Sequence, residues 1–266
     1  MSTRRAGRLI FSLAVVALLC LSSTAWAQGQ PLAARHVRVD ATVAVGAVLG
    51  LTDACLADTA RSLWLLTLTE EVKSGDWDKM QGLLAEYQHR DVEAAVWFAR
   101  PDGSYYTVDK GLTDQNLRDR PYFPKAMAGQ ATLGDLVVSR STGKYVAVVT
   151  APIRRGDAVV GVLGASLYLD KLSERIGNTL SLPDNIHFWA SDPTGKIVAI
   201  NRRTERLFWD PTNLNSPTLT QAVAEMLTKP QGSIGYDFQS KRLTGVYQKS
   251  PLTGWYFVLG VLKPIR

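Results

Sequence analysis

Cysteine and histidine are scarce in this sequence: its 266 residues include two cysteines and three histidines. Cys20 lies in the N-terminal apolar run, which leaves Cys55 alone and excludes an internal disulfide in the rest of the chain. The histidines, His36, His89 and His187, are far apart, and none has a neighbouring Cys or His. The sequence therefore indicates no metal site, no cofactor and no enzyme, because neither a ligand cluster nor a nucleophile with a partnered base is visible.

A second long apolar run is also lacking. The only one, residues 9–21, follows three arginines and leads to Ala25-Trp26-Ala27. A basic head, a short apolar centre and an Ala-x-Ala end are typical of a secretory signal, and the run is short for a membrane span of about 20 residues. We therefore predict a signal peptide at residues 1–27 and a periplasmic product. Lipidation at Cys20, a twin-arginine signal at Arg4-Arg5 and an uncleaved anchor are less favoured alternatives.

Dense basic stretches are absent as well. The net charge of +6 includes the three arginines of the predicted signal, so the remainder is close to neutral. No Lys/Arg stripe interleaved with aromatic residues occurs, which argues against a nucleic-acid partner.

The patterns that are present begin with helices at residues 28–91. Apolar residues recur at helical spacing from residue 40 to residue 72, without a proline. Gly75 is expected to end this long helix, and Asp76 is placed to cap a second one. Cys55 falls among leucines of the long helix, so we interpret it as a buried apolar thiol.

After the helices, one order of elements occurs twice. Strand, glycine-containing turn, strand, crossover and three antiparallel strands are predicted at residues 92–182 and again at 183–266. The predicted fold is α+β, with a long N-terminal helix followed by two modules, each a mainly antiparallel sheet with flanking helices.

Several short motifs then suggest a family. They are Arg120-Pro121-Tyr122-Phe123, Ser141-Thr142-Gly143-Lys144, Ala151-Pro152-Ile153, Gly161-Val162-Leu163-Gly164-Ala165 and Thr253-Gly254-Trp255-Tyr256. In this order, after a long helix, they resemble double Cache (dCache) domains, the extracytoplasmic sensor halves of chemoreceptors, histidine kinases and cyclases. The resemblance implies two PAS-like modules, with the ligand in the first, membrane-distal type module. Relatives are usually tethered by two membrane spans, so this chain resembles a stand-alone secreted version.

Arg120 is the residue that the resemblance points to most strongly. In amino-acid-binding relatives an Arg-x-Trp-Tyr box holds the ligand carboxylate, and a guanidinium fork matches a carboxylate bidentately. Here Tyr122 replaces the Trp, and Phe123, without a hydroxyl, replaces the Tyr. The alternative is that Arg120 ties its loop to backbone carbonyls.

Serines stand where such relatives place the acids that hold a ligand ammonium. Ser166 occupies one of these places, and Ser139 and Ser141 lie in the other. A buried ammonium without a counter-charge is strongly disfavoured, so we predict a small organic anion, a carboxylate, rather than an ordinary α-amino acid. The alternative for Ser166 is a core serine bonded to backbone.

Aromatic residues are expected to wall the pocket. Those in the corresponding segments are Trp97, Tyr105, Tyr106, Tyr122, Phe123, Tyr145 and Tyr168. Alternation along a strand allows only one of Tyr105 and Tyr106 to face it. In the second module, a structural role is favoured over a second site for Trp189, Trp209, Tyr236, Tyr247 and Arg202-Arg203.

The function that follows is a periplasmic sensor that binds a small organic ligand and signals through a separate membrane kinase or cyclase. Two alternatives stay open: a solute-binding component that serves a transporter, and a ligand-free protein-interaction module. A homodimer through the N-terminal helix is compatible with the pattern. The ligand's identity and any ligand of the second module stay open.

Overall fold

The computed structural model describes residues 39–91 and 93–265, so the predicted signal peptide at 1–27 lies outside the described residues. The α-helices of the described part are α1 (Ala41–Thr67), α2 (Glu70–Lys73), α3 (Trp77–Asp91), α4 (Phe123–Met127), α5 (Leu169–Leu180) and α6 (Pro217–Met226). The strands are β1 (Ala94–Ala99), β2 (Ser104–Thr107), β3 (Gly111–Asn116), β4 (Thr132–Val138), β5 (Tyr145–Arg155), β6 (Ala158–Tyr168), β7 (Ile186–Ser191), β8 (Val198–Asn201), β9 (Gln231–Phe238), β10 (Lys241–Lys249) and β11 (Tyr256–Pro264).

The long helix α1 starts where its sequence provides a cap. The Asp40 carboxylate accepts the Thr42 N–H at 2.7 Å, which satisfies one of the free donors of the first turn. The helix ends at Thr67, earlier than predicted, because Thr69 caps the separate short helix α2 by accepting the Val72 N–H. Asp76 accepts the Asp78 N–H at the start of α3.

By length and composition alone, α1 could cross a membrane. One of its faces is nevertheless buried in the protein and contacts strands of both sheets. The buried positions are spaced by three, four or seven residues, as expected for a helix that packs along one side. In this structure α1 is thus a core helix shared by the two sheets.

The two sheets repeat one topology. The strand orders are β3-β2-β1-β6-β5-β4 and β8-β7-β11-β10-β9, and all pairs are antiparallel. In each sheet the first strand pairs with the last, and the three closing strands follow side by side. The predicted α+β fold of a long helix and two similar modules is confirmed. We call the β1–β6 sheet with α4 the first module, and the β7–β11 sheet with α6 the second module.

Each sheet has two buried faces with different partners. The inner faces join α1, α3 and α5 in one continuous core that includes Phe98 of the first sheet and Phe257 of the second. The outer face of the first sheet packs against α4 and contains Trp97, whereas the outer face of the second packs against α6 and contains Trp189. Candidate binding residues therefore collect on two separate outer faces.

Candidate functional site

Four of the aromatic residues predicted to wall a pocket meet on the outer face of the first sheet. We call Trp97, Tyr105, Tyr122 and Phe123 the aromatic cluster; each side chain is at most 3% exposed. The Trp97 ring lies 6.4 Å from the Tyr105 ring, edge to face, and 6.0 Å from the Tyr122 ring. The rings therefore pack largely against one another.

Trp97 is held by a specific contact with β6. Its indole N–H donates to the Ser166 hydroxyl at 3.0 Å, and both residues are buried. Gly164 faces Trp97 across the strand pair, and a Cβ at that position would overlap the indole ring. Ser166 thus lies within the cluster, with its hydroxyl oxygen already accepting one hydrogen bond.

A tight turn before α4 positions Arg120. The Arg120 N–H donates to the Leu117 carbonyl at 2.9 Å, and the Arg120 carbonyl accepts the Phe123 N–H at 3.0 Å. The side chain is half-buried, and its Nη2 donates to the Val138 carbonyl at 2.7 Å. Its Nε–H is buried and has no hydrogen-bond acceptor. Arg120 therefore ties its loop to a backbone carbonyl, which was the alternative to a ligand-binding role. Its buried Nε–H nevertheless has no acceptor.

The neighbouring charges are already paired. Arg140 binds both carboxylate oxygens of Asp119, at 2.7 and 2.6 Å, and also donates to the Asn116 carbonyl. Hydrogen bonding to Arg140 holds the pKa of the Asp119 carboxyl below its ordinary value. The Asp119 carboxylate is therefore bound by Arg140, and Arg120 acts on it only through a smaller, longer-range electrostatic effect.

Tyr122 is a neutral donor in this setting. Burial raises the pKa of its phenol well above the ordinary value, against a smaller lowering by Arg120. The hydroxyl therefore stays protonated at physiological pH and could donate a hydrogen bond to an anion.

The two loop serines lie next to the residue that Arg120 contacts. Ser139 follows Val138, and its hydroxyl is 3.3 Å from that of Ser141. The Thr142 N–H donates to the Ser139 hydroxyl, also at 3.3 Å. Both hydroxyls are thus engaged in the β4–β5 turn.

The other predicted wall residues are not brought into the cluster. Tyr106 lies on the opposite face of the sheet, where its ring is 5.0 Å from that of Trp77, as strand alternation requires. Tyr145 is 44% exposed and stacks on Phe208 at 4.3 Å. Tyr168 packs at the edge of the cluster, with the Lys144 ammonium 4.2 Å from its ring centre.

A groove that the sequence reasoning missed lies between α1 and α5. Its volume is about 310 Å³, and its charged lining residues are Asp58, Glu93 and Arg175. Helix α5 was not predicted, although Leu169, Leu172 and Ile176 have helical spacing. Burial raises the pKa of the Cys55 thiol, which also lines the groove, so this cysteine is a poor nucleophile.

The fold and the cluster define a class: a double sensor module built from two PAS-like halves on a common helix. The chain matches the family model of the Cache domain, dCache_1, over residues 50–263. It therefore belongs to the Cache domain family, whose members are extracytoplasmic ligand-binding sensor domains. A search of curated proteins found no match.

Solved structures with a similar fold include two chemoreceptor domains. The ligand-binding domain of Pseudomonas fluorescens CtaA, in complex with L-serine, has 14% identity and a TM-score of 0.64, covering 81% of this chain and 92% of that one. The domain of Pseudomonas aeruginosa PAO1 PctB, with L-Arg, has 18% identity and a TM-score of 0.64, covering 84% and 86%.

A third similar structure is the extracellular domain ascribed to the histidine kinase rpHK1S-Z16. It has 16% identity and a TM-score of 0.65, with coverage of 82% of this chain and 92% of that domain. At these identities the likeness concerns the fold.

Proposed function

We propose that this chain is a periplasmic sensor that binds a small organic anion at Arg120 in the first module and reports to a separate membrane protein. The observation that carries the proposal is the Arg120 Nε–H, which is buried beside the aromatic cluster without an acceptor. A buried donor without a partner costs about 1–3 kcal/mol, and a ligand carboxylate would remove that cost.

The polar groups around Arg120 favour an anion over an amino acid. CtaA and PctB are seen with L-serine and L-Arg, each of which carries an ammonium group. In the present chain Ser166 lies where such relatives have an acid, and Asp119 is engaged by Arg140. An ammonium group would thus not find Asp119 free, and the carboxylate whose charge reaches Tyr122 is that of Asp135 on β4. A ligand carboxylate would find Arg120 and the Tyr122 hydroxyl.

Binding at this site requires movement. The aromatic rings already fill the outer face of the first sheet, so the ligand must displace part of the cluster. Tyr122 and Phe123 sit at the start of α4, a helix of only five residues. Displacement of α4 would open a path to Arg120 and change the surface that a partner protein meets.

The direct test is a thermal-shift and calorimetric screen of small organic acids, with amines and α-amino acids as comparison. A ligand at 100 times its Kd stabilises the folded chain by about 2.7 kcal/mol, which such assays detect readily. Arg120→Ala should abolish the stabilisation. Arg118→Ala, which removes an exposed charge two residues away, should leave it unchanged.

If Arg120→Ala binds acids as well as the unmodified chain does, the site assignment is wrong. If no small molecule stabilises the chain, a ligand-free interaction module is the better description. A bound acid together with a co-purifying permease, rather than a kinase or cyclase, would favour the solute-delivery alternative.

The partner of the α1 surface is proposed to be a second copy of this chain. The outward face of α1 carries exposed apolar side chains, with Trp64 56% and Leu65 52% exposed. Burial of these groups between two copies would be favourable at about 25 cal/mol per Å². Sedimentation analysis should show a dimer that Trp64→Glu dissociates, and a monomer for the unmodified chain would contradict it.

A further inference from the structure

The outer face of the second sheet borders a small, half-open cavity. It lies between β7, β8, β9, α6 and two 3₁₀ turns, Thr204–Arg206 and Pro211–Asn213. We call it the second-module cavity. Its lining residues are His187, Trp189, Val198, Asn201, Arg206, Trp209, Pro211, Leu214, Leu219, Tyr236 and Phe238.

The cavity is small. The space open to the centre of a water molecule is about 40 Å³. Since one buried water needs roughly 10–15 Å³ by this measure, the space suits about three waters or an organic group of a few heavy atoms. A drug-sized ligand does not fit without rearrangement.

A buried donor in its wall lacks an acceptor. Trp189 is 3% exposed, and its indole N–H makes no hydrogen bond. The indole N–H lies close to the Tyr236 hydroxyl and opposes the rise in the Tyr236 pKa that burial causes. The distance and angle of this contact still fall short of a hydrogen bond. An indole N–H can only donate, so a ligand that satisfies it must offer an acceptor.

The charge at the cavity is positive. The Arg206 guanidinium lies over two aromatic rings, 5.6 Å from the Trp209 centre and 5.3 Å from that of Phe238. Its Nη2 donates to the Gln239 side chain at 2.7 Å, and it forms no ion pair within the described residues. An arginine remains charged. The adjacent Glu205 acts on Arg206 only at longer range, and no carboxylate binds the guanidinium directly within the described residues.

The remaining polar groups do not offset this charge. His187 is buried and neutral, because burial and then Arg206 lower its pKa to about 4. Asn201 accepts the Arg203 N–H with its side-chain oxygen at 2.8 Å, which leaves its amide N–H groups as donors. No carboxylate is among the residues that line the cavity. The charged group of the wall, Arg206, and the Trp189 indole can only donate, whereas the neutral His187 ring and the Tyr236 hydroxyl can also accept.

We propose that the second-module cavity binds a small monocarboxylate of formate or acetate size, through Arg206 and the Trp189 indole N–H. A carboxylate would give the indole N–H a charged acceptor in hydrogen-bond geometry and would place a negative charge directly on Arg206. Four aromatic rings would also suit a small ammonium by cation–π contact, but Arg206 already covers two of them and would repel a second cation. The site differs from the one at Arg120 in module and in binding residues.

The experiment is a titration of the whole chain with sodium acetate, followed by ¹H–¹⁵N NMR of the tryptophan indoles and by calorimetry. The Trp189 signal is assigned by its loss in Trp189→Phe. Acetate should shift that signal, whereas sodium chloride at the same ionic strength should not. Arg206→Gln and Trp189→Phe should each weaken acetate binding by about tenfold, the usual loss for a hydrogen bond to a charged group.

Two control variants localise the effect. Arg203→Gln removes an exposed neighbouring charge and should bind acetate like the unmodified chain. Arg120→Ala should also leave acetate binding intact, so that failure at one site is distinguishable from failure at the other. Benzoate should not bind here, because its ring exceeds the available space.

Three results would overturn the proposal. The first is an unmoved Trp189 signal up to tens of millimolar acetate. The second is equal acetate binding by Arg206→Gln and Arg203→Gln. The third is loss of acetate binding in Arg120→Ala with Arg206→Gln unaffected, which would assign acetate to the first module.

Discussion

Both modules place a tryptophan that is only 3% exposed on the outer face of their first strand, but only the tryptophan of the first module donates a side-chain hydrogen bond. Trp97 and Trp189 each meet a tyrosine ring edge to face at 6.4 Å. The Trp97 N–H donates to Ser166 at 3.0 Å, whereas the Trp189 N–H has no acceptor and lines a cavity. The same topology thus holds a hydrogen-bonded tryptophan in one module and a tryptophan that lines a cavity in the other.

The residue across the strand pair explains the difference. Trp97 faces Gly164, which has no side chain, so the indole lies in the space that a Cβ would take. Trp189 faces Val258, whose side chain occupies the equivalent place. The residue opposite the tryptophan in the closing strand thus differs between the two modules, although the strand order is the same.

Among the changes that test this comparison of the two tryptophans, Gly164→Ala should have the largest effect on stability. The new methyl group would overlap the Trp97 ring, so we expect a loss of about 3 kcal/mol in the free energy of unfolding, at the upper end for overpacking. Urea denaturation measures it. Gly177→Ala in α5 is the matched control: its Cβ comes no closer than 3.9 Å to Phe188, so a gain of up to about 1 kcal/mol is expected. Equal effects of the two changes would refute the packing argument.

A smaller effect should appear in the pH dependence of the second module. Burial lowers the pKa of His187 from 6.5 to about 4. Above about pH 6.5 the residue is neutral in both folded and unfolded chains, so this contribution to stability is complete. Between pH 6.5 and pH 4 only the unfolded chain takes up the proton, which stabilises the unfolded state.

The free energy of unfolding should consequently fall by about 2 kcal/mol between pH 8 and pH 5 through His187 alone. His187→Gln cannot titrate and should lose that part of the slope. Urea unfolding of both chains at the two pH values gives the difference. Identical slopes would show that the pKa of His187 is the same in the folded and unfolded chains, contrary to this prediction.

The smallest predicted effect isolates one hydrogen bond. Trp97→Phe and Trp189→Phe remove the same volume from equivalent strands, but only the first breaks a bond, that to Ser166. Trp97→Phe should therefore cost about 1 kcal/mol more than Trp189→Phe. Parallel denaturation curves provide the comparison, and a larger cost for Trp189→Phe would mean that its N–H is already satisfied.

Most of the fold could be predicted from the sequence because its signals are periodic. The two modules and the long helix were predicted from the residue patterns of the strands, from glycine-containing turns and from the helical spacing of apolar residues in α1. Strand β3, at Gly111–Asn116, was missed because its residues are mostly polar and exposed, so no alternation marks it. The end of α1 at Thr67 was missed because a threonine cap, rather than glycine or proline, divides the helices.

The site was less predictable, since it depends on which faces meet. Tyr105 and Tyr122 come together with Trp97, whereas Tyr145 joins Phe208 of the other module, a contact that no local pattern encodes. In the second module the sequence drew attention to Arg202, but this side chain donates to the backbone carbonyls of residues 182, 183 and 186. Arg206 lines the cavity because it lies at the end of the 3₁₀ turn Thr204–Arg206.

Because α1 shares one core with both sheets, the stabilities of the two modules are coupled. Phe98 and Phe257 belong to one buried cluster. Unfolding of either module would therefore expose apolar side chains of the other module to water. Melting should then be a single calorimetric event. An anion held in either half would raise the melting temperature of the entire chain, and each half would benefit from occupancy of the other.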